Sequence, residues 1–127
     1  MADEITLNIT LDLLKSNIRL SFRPGSVTPD VAGQYLLASV QQIGTSAYEG
    51  LGTGDVSSGG YAYFHNVSTS TTTDPTIRIA LTATTSNPFA KLLPGDYAVM
   101  RNESVALSAR ATSAGTAASL QYGVIDP

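Results

Sequence analysis

No cysteine and no tryptophan occur in this 127-residue chain, and histidine occurs once, at position 65. Without cysteine there is no disulfide framework and no thiolate metal site. The fold must then rest on an apolar core, and a chain of this length can bury roughly two-thirds of its unfolded surface. Charge is scarce as well: 13% of residues are charged, with seven Lys and Arg against ten Asp and Glu, for a net charge of −3. No basic run exists, so the electrostatic footprint of a nucleic-acid binder is missing. No stretch approaches about 18 consecutive apolar residues, which argues against a membrane-spanning helix. The opening MADEITLNIT is acidic and alternating, and it lacks the basic and apolar regions of a signal peptide.

Gly, Ser, Thr and Ala are plentiful instead. Thr and Val favour strands, while Gly and Pro punctuate them. The composition predicts a single all-β domain over residues 1–127, with a surface of short polar side chains. Such side chains lose little entropy when packed against another protein.

Ile5, Leu7, Ile9, Leu11 and Leu13 fall on every second residue, the signature of a half-buried strand. Ile18, Leu20 and Phe22 repeat that pattern after a break at residues 13–17, and the two runs can pair as a hairpin. Pro24-Gly25 ends the second run. Residues 31–43 admit two readings, a helix of about 10 residues from Leu, Ala and Gln propensity, or a strand. The all-β surroundings and the broken i, i+4 pattern favour a strand over residues 35–43.

Residues 44–60 hold six of the eleven glycines and read as a long exposed loop with room for one short strand or turn, a candidate contact for a partner. The aromatic run at 61–67 and the alternating Ile77, Ile79, Leu81 and Ala83 predict two strands joined as a hairpin. In residues 88–101, Leu93-Pro94-Gly95-Asp96 has the residues of a type II turn. The apolar Tyr97-Ala98-Val99-Met100 then predicts a central strand covered on both faces. Val105, Leu107, Ala109 and Ala111 alternate in a further strand, and Leu120, Tyr122 and Val124 in the last. About eight or nine strands with turns every 8–12 residues predict an antiparallel β-sandwich, jelly-roll-like.

Candidate chemistry is sparse. His65 sits in an aromatic strand, and nothing in the sequence supplies the oriented carboxylate and activated serine of a triad. The carboxylates are scattered, with no close pair for acid/base work, so no enzymatic activity and no cofactor are expected. GLGTG at 50–54 lacks the Lys-Ser/Thr of a phosphate-binding loop. Asp55 and Asp74 lack the spaced oxygen ligands of a calcium site. Asn8, Asn66 and Asn102 open Asn-X-Ser/Thr triplets, read as chance occurrences in a Ser/Thr-rich chain. Tyr48, Tyr61, Tyr63 and Tyr97 are the aromatics a sugar-binding module would use, although core packing is the expected role for them.

From about Gly59 onward, GGYAYFHNVS, IRIAL, PFAKLLPGDYAVMR, VALSARA and AASLQYGVIDP follow in an order that resembles a family of small tailed-bacteriophage virion proteins. That family is similar to head decoration or cement proteins. The resemblance covers roughly the C-terminal half and rests on structural residues, with the turn Pro94-Gly95 and the strand-end Asn66 as its marks. It implies a structural protein on the outer capsid surface, made in the bacterial cytoplasm. The implied partners are the major capsid protein and two further copies in a homotrimer. Residues 1–12 would be a strand or arm reaching a neighbouring subunit. The competing reading is a tail, fibre or baseplate component with a glycan- or receptor-binding role.

Overall fold

The structure, a computed structural model, describes residues 5–28, 35–57, 59–69, 75–81, 87–102, 106–112 and 117–126. Among these residues there is no helix, and every strand pairing is antiparallel. The chain divides into two compact units, residues 1–32 and 33–127.

The first unit holds four strands: β1 (Leu7–Asn8), β2 (Leu11–Lys15), β3 (Ile18–Phe22) and β4 (Ser26–Val27). The expected hairpin forms between β2 and β3, with Ser16 at φ 54° in its turn. The alternating run before it does not continue as one strand. It breaks at Ile9-Thr10, and β1 pairs instead with β4 beyond Pro24-Gly25.

The second unit holds the other eight strands: β5 (Leu36–Ile43), β6 (Glu49–Gly50), β7 (Tyr61–Asn66), β8 (Ile77–Ala80), β9 (Ala90–Leu92), β10 (Tyr97–Arg101), β11 (Ser108–Ala111) and β12 (Ala118–Ile125). One sheet runs β10-β7-β12-β5 and the other β6-β11-β8-β9. The pairing is nested: the outermost two strands in sequence pair, β5 with β12, and so do β6 with β11, β7 with β10, and β8 with β9. The chain from β5 to β8 is thus doubled back by the chain from β9 to β12, and successive pairs alternate between the sheets.

One apolar core draws on both sheets. β7 and β12 bury alternate residues, Ala62, Phe64 and Asn66 on one and Ala118, Leu120, Tyr122 and Val124 on the other. The second sheet contributes Ile77, Ile79, Leu92, Ala109 and Ala111. Strict period-2 burial on central strands is what a sandwich with two solvated outer faces requires.

Three expectations are corrected. The block at 88–101 is not the covered middle of the core. Its turn is the expected one, with Gly95 at φ 86° and the Asp96 N–H donating to the Leu93 carbonyl at 2.9 Å. The strands either side of it are edge strands of different sheets, β9 and β10, and Tyr97 is 69% exposed. An apolar residue on each face does not place a strand centrally when the outward ones stay in solvent. The strands at 61–66 and 77–80 form no hairpin, because β7 pairs with β10 and β12 while β8 pairs with β9 and β11. Residues 44–60 are not a wholly exposed loop. Leu51 and Val56 are buried in the core, and the Tyr122 hydroxyl donates to the Gly52 carbonyl at 2.9 Å. The strand expected over 35–43 forms as β5.

Candidate functional site

Three surfaces carry unusual side chains, each set by strand register. The first is on the N-terminal hairpin. Leu11 faces Phe22, Leu13 faces Leu20, and Lys15 faces Ile18. Alternation puts these pairs on one face of the ribbon. Its five apolar side chains are between 42% and 69% exposed. On the opposite face the Asp12 carboxylate accepts from the Ser21 hydroxyl and lies 3.4 Å from the Arg23 guanidinium. That face is mostly polar, with Leu14 beside Arg19 as its one apolar side chain, while the other is apolar apart from Lys15 and open.

The second surface is the outer face of the sheet β10-β7-β12-β5. Pairing lays its outward residues in rows across the four strands. One row reads Tyr97, His65, Gln121, Val40; the next Val99, Tyr63, Gly123, Ala38; the third Arg101, Tyr61, Ile125, Leu36. Three of the four tyrosines expected in the core are therefore on this outer face, half-buried or exposed. The core takes Phe64 and Tyr122 instead, the aromatics of inward parity. His65 lies here too: its Nδ1 is 3.4 Å from the Gln121 side-chain oxygen, and its ring centroid is 6.3 Å from that of Tyr63. The Arg101 guanidinium sits 5.8 Å from the Tyr61 ring centre, within cation–π range.

The third surface is the outer face of the other sheet. Arg110 faces Arg78, and Arg78 faces Lys91, so three of the seven basic residues form one cross-strand row. Arg110 lies 5.3 Å from the ring centre of Tyr48, the fourth tyrosine. No ion pair joins this row to a carboxylate among the described residues.

The two structural marks of the family resemblance meet. Asn66 is fully buried, and its amide nitrogen donates to the Pro75 carbonyl at 2.8 Å and the Leu92 carbonyl at 3.1 Å. The Gly95 N–H donates to the Asn66 carbonyl at 2.8 Å, and the Asn66 N–H donates to the Asp96 carbonyl at 2.9 Å. The Pro94-Gly95 turn is thereby fastened to the end of β7, and Asn66 ties that strand to β9 of the opposite sheet. Asp55 is exposed in a turn, Asp74 lies outside the described residues, and the described residues hold no group of three His, Cys, Asp or Glu side chains that could bind a metal.

The shared apolar face of the hairpin and the tyrosine grouping were both missed in the sequence. The alternation at 5–22 reads as a half-buried strand pair, whereas β2 and β3 are exposed throughout, and tyrosine does not declare which face it takes. Strand parity counted from the buried Phe64 would have found the second. Fold and surfaces together define a small antiparallel β-protein whose distinctive features are three exposed faces. Comparison with known protein families, with curated proteins and with solved structures finds no match.

Proposed function

We propose that this chain is a non-enzymatic structural subunit that docks onto a larger protein assembly through its N-terminal hairpin, as a decoration or cement protein on a bacteriophage capsid. The observation that carries the reading is the open apolar ladder of β2 and β3. A two-stranded hairpin is marginal in water, and five exposed large apolar side chains on one face mark a surface that is covered in the working state. Symmetric copies supply such cover, and a homotrimer multiplies weak contacts to a shell. The nested strand order supports the jelly-roll form of the sandwich, a wrap common among virion domains. Fold alone assigns no function, so the reading stands on the hairpin and on the sequence resemblance.

Light scattering coupled to size exclusion tests the self-association. The expected mass is three times that of the 13.2 kDa chain. Leu13→Asp combined with Leu20→Asp should return a monomer with the sandwich intact. A wild-type monomer at micromolar concentration would sink the trimer. Fractionated particles test the location: the chain is expected on tail-free heads, and its confinement to tails would favour the receptor-binding alternative.

A further inference from the structure

We propose that the outer face of the sheet β10-β7-β12-β5 is a carbohydrate-binding platform for an oligosaccharide chain. The middle row of that face supplies the seat. Tyr63 lies beside Gly123 on β12 and Ala38 on β5. The flanking rows place larger side chains at the same positions, Gln121 and Val40 on one side, Ile125 and Leu36 on the other. Small residues between larger ones leave a shallow trough over β12 and β5, closed on the β7 side by the Tyr63 ring. The face around it spans four strands at about 4.8 Å spacing, roughly 14 Å from edge to edge, long enough for a chain rather than a single sugar.

The chemistry around the trough suits polyhydroxylated rings. Sugars present apolar C–H faces that stack on aromatic rings, and hydroxyls that need planar, directional partners. Tyr63 offers a ring at the end of the trough, and Tyr97, 69% exposed on the edge strand, offers a second on the same face, two strands from Gly123. The Gln121 amide paired with His65 lies on one flank, and the Arg101 guanidinium over Tyr61 on the other. These three rows hold one formal cation, Arg101, and no carboxylate. That charge pattern fits a neutral or weakly acidic sugar chain and gives little purchase to a polyanion such as nucleic acid. Gly123 is open to solvent on this side: a Cβ there would meet only the Leu37 carbonyl oxygen, at 3.4 Å.

The test uses the full chain against immobilised neutral and uronic-acid oligosaccharides of four or more units, followed by NMR titration with the strongest binder. Binding is expected, with shifts centred on Tyr63, Gly123 and Gln121. Tyr97→Ala, at an exposed position, should weaken it at least tenfold, and Gly123→Val, which fills the trough, should abolish it. Tyr48→Phe on the other sheet should leave it unchanged, as should the Leu13→Asp, Leu20→Asp pair that tests the hairpin. The proposal is overturned by no binding at millimolar sugar. It is also overturned by affinity indifferent to both Tyr97→Ala and Gly123→Val, by shifts that map elsewhere, or by burial of this face between copies of the chain at every concentration.

Discussion

Asn66 has no solvent exposure, and every hydrogen bond of its side chain goes to backbone: two carbonyls receive its amide protons, and its carbonyl oxygen accepts the Ser68 N–H at 3.2 Å. Removing it strands the buried carbonyls of Pro75 and Leu92, just before β8 and on β9 of the opposite sheet, and an unpaired buried polar group costs more than the mean worth of a bond. Asn66→Ala is expected to lose about 2–4 kcal/mol of stability, seen as a lower urea midpoint at unchanged slope. Asn66→Asp keeps the acceptor for Ser68 but loses both donations and sets a buried carboxylate against two carbonyl oxygens, so it should fall at least as far. Gly95 makes a smaller contribution by a different route. Its φ of 86° is a backbone conformation that side chains oppose, and Gly95→Ala should cost roughly 1–2 kcal/mol. Both substitutions leave the outer sheet faces untouched, so neither should alter ligand binding at permissive temperature.

At the scale of elements, the row Arg110, Arg78, Lys91 sets like charges directly opposite one another across three strands. Such pairs destabilise a sheet by up to about 1 kcal/mol, and salt screens them. Stability is therefore expected to rise with ionic strength, and the rise should shrink in Arg78→Thr; thermal melts at low and high salt check it. Strands were legible in the sequence wherever one face is buried. The alternation of Ile77 and Ile79, or of Leu120, Tyr122 and Val124, is the imprint of the core on the chain. Partners were not legible. Nothing local to 61–66 says that it pairs with 97–101 and 120–125, because those contacts are fixed by the register of distant segments. The face Tyr97 occupies was hidden for a related reason: on an edge strand, apolar residues of both parities are tolerated, and only the neighbour's parity settles which is inside. β4 leaves no sequence signal, being two residues long.

For the whole molecule, nested pairing makes the second unit depend on its last strand. β12 lies between β7 and β5 and supplies Leu120, Tyr122 and Val124 to the core. Ending the chain at residue 117 should abolish the sandwich, with loss of β-type circular dichroism and of dispersed NMR signals. Pairings that join sequence-distant strands also slow folding, since loop closure comes before any reward. A refolding time of milliseconds to seconds is expected, against microseconds for a helical chain of this size, and stopped-flow refolding would measure it.

The position of β12 also bears on how the chain is made. Synthesis delivers the N-terminus first, so the strand that must insert between β5 and β7 leaves the ribosome only after both of them. Until it arrives, β5 and β7 each present an unpaired edge and an uncovered apolar face, the features that invite pairing with other chains. Nascent copies on one message are then at their stickiest until residues 118–125 emerge and seat, and that interval is when a holdase chaperone would matter most.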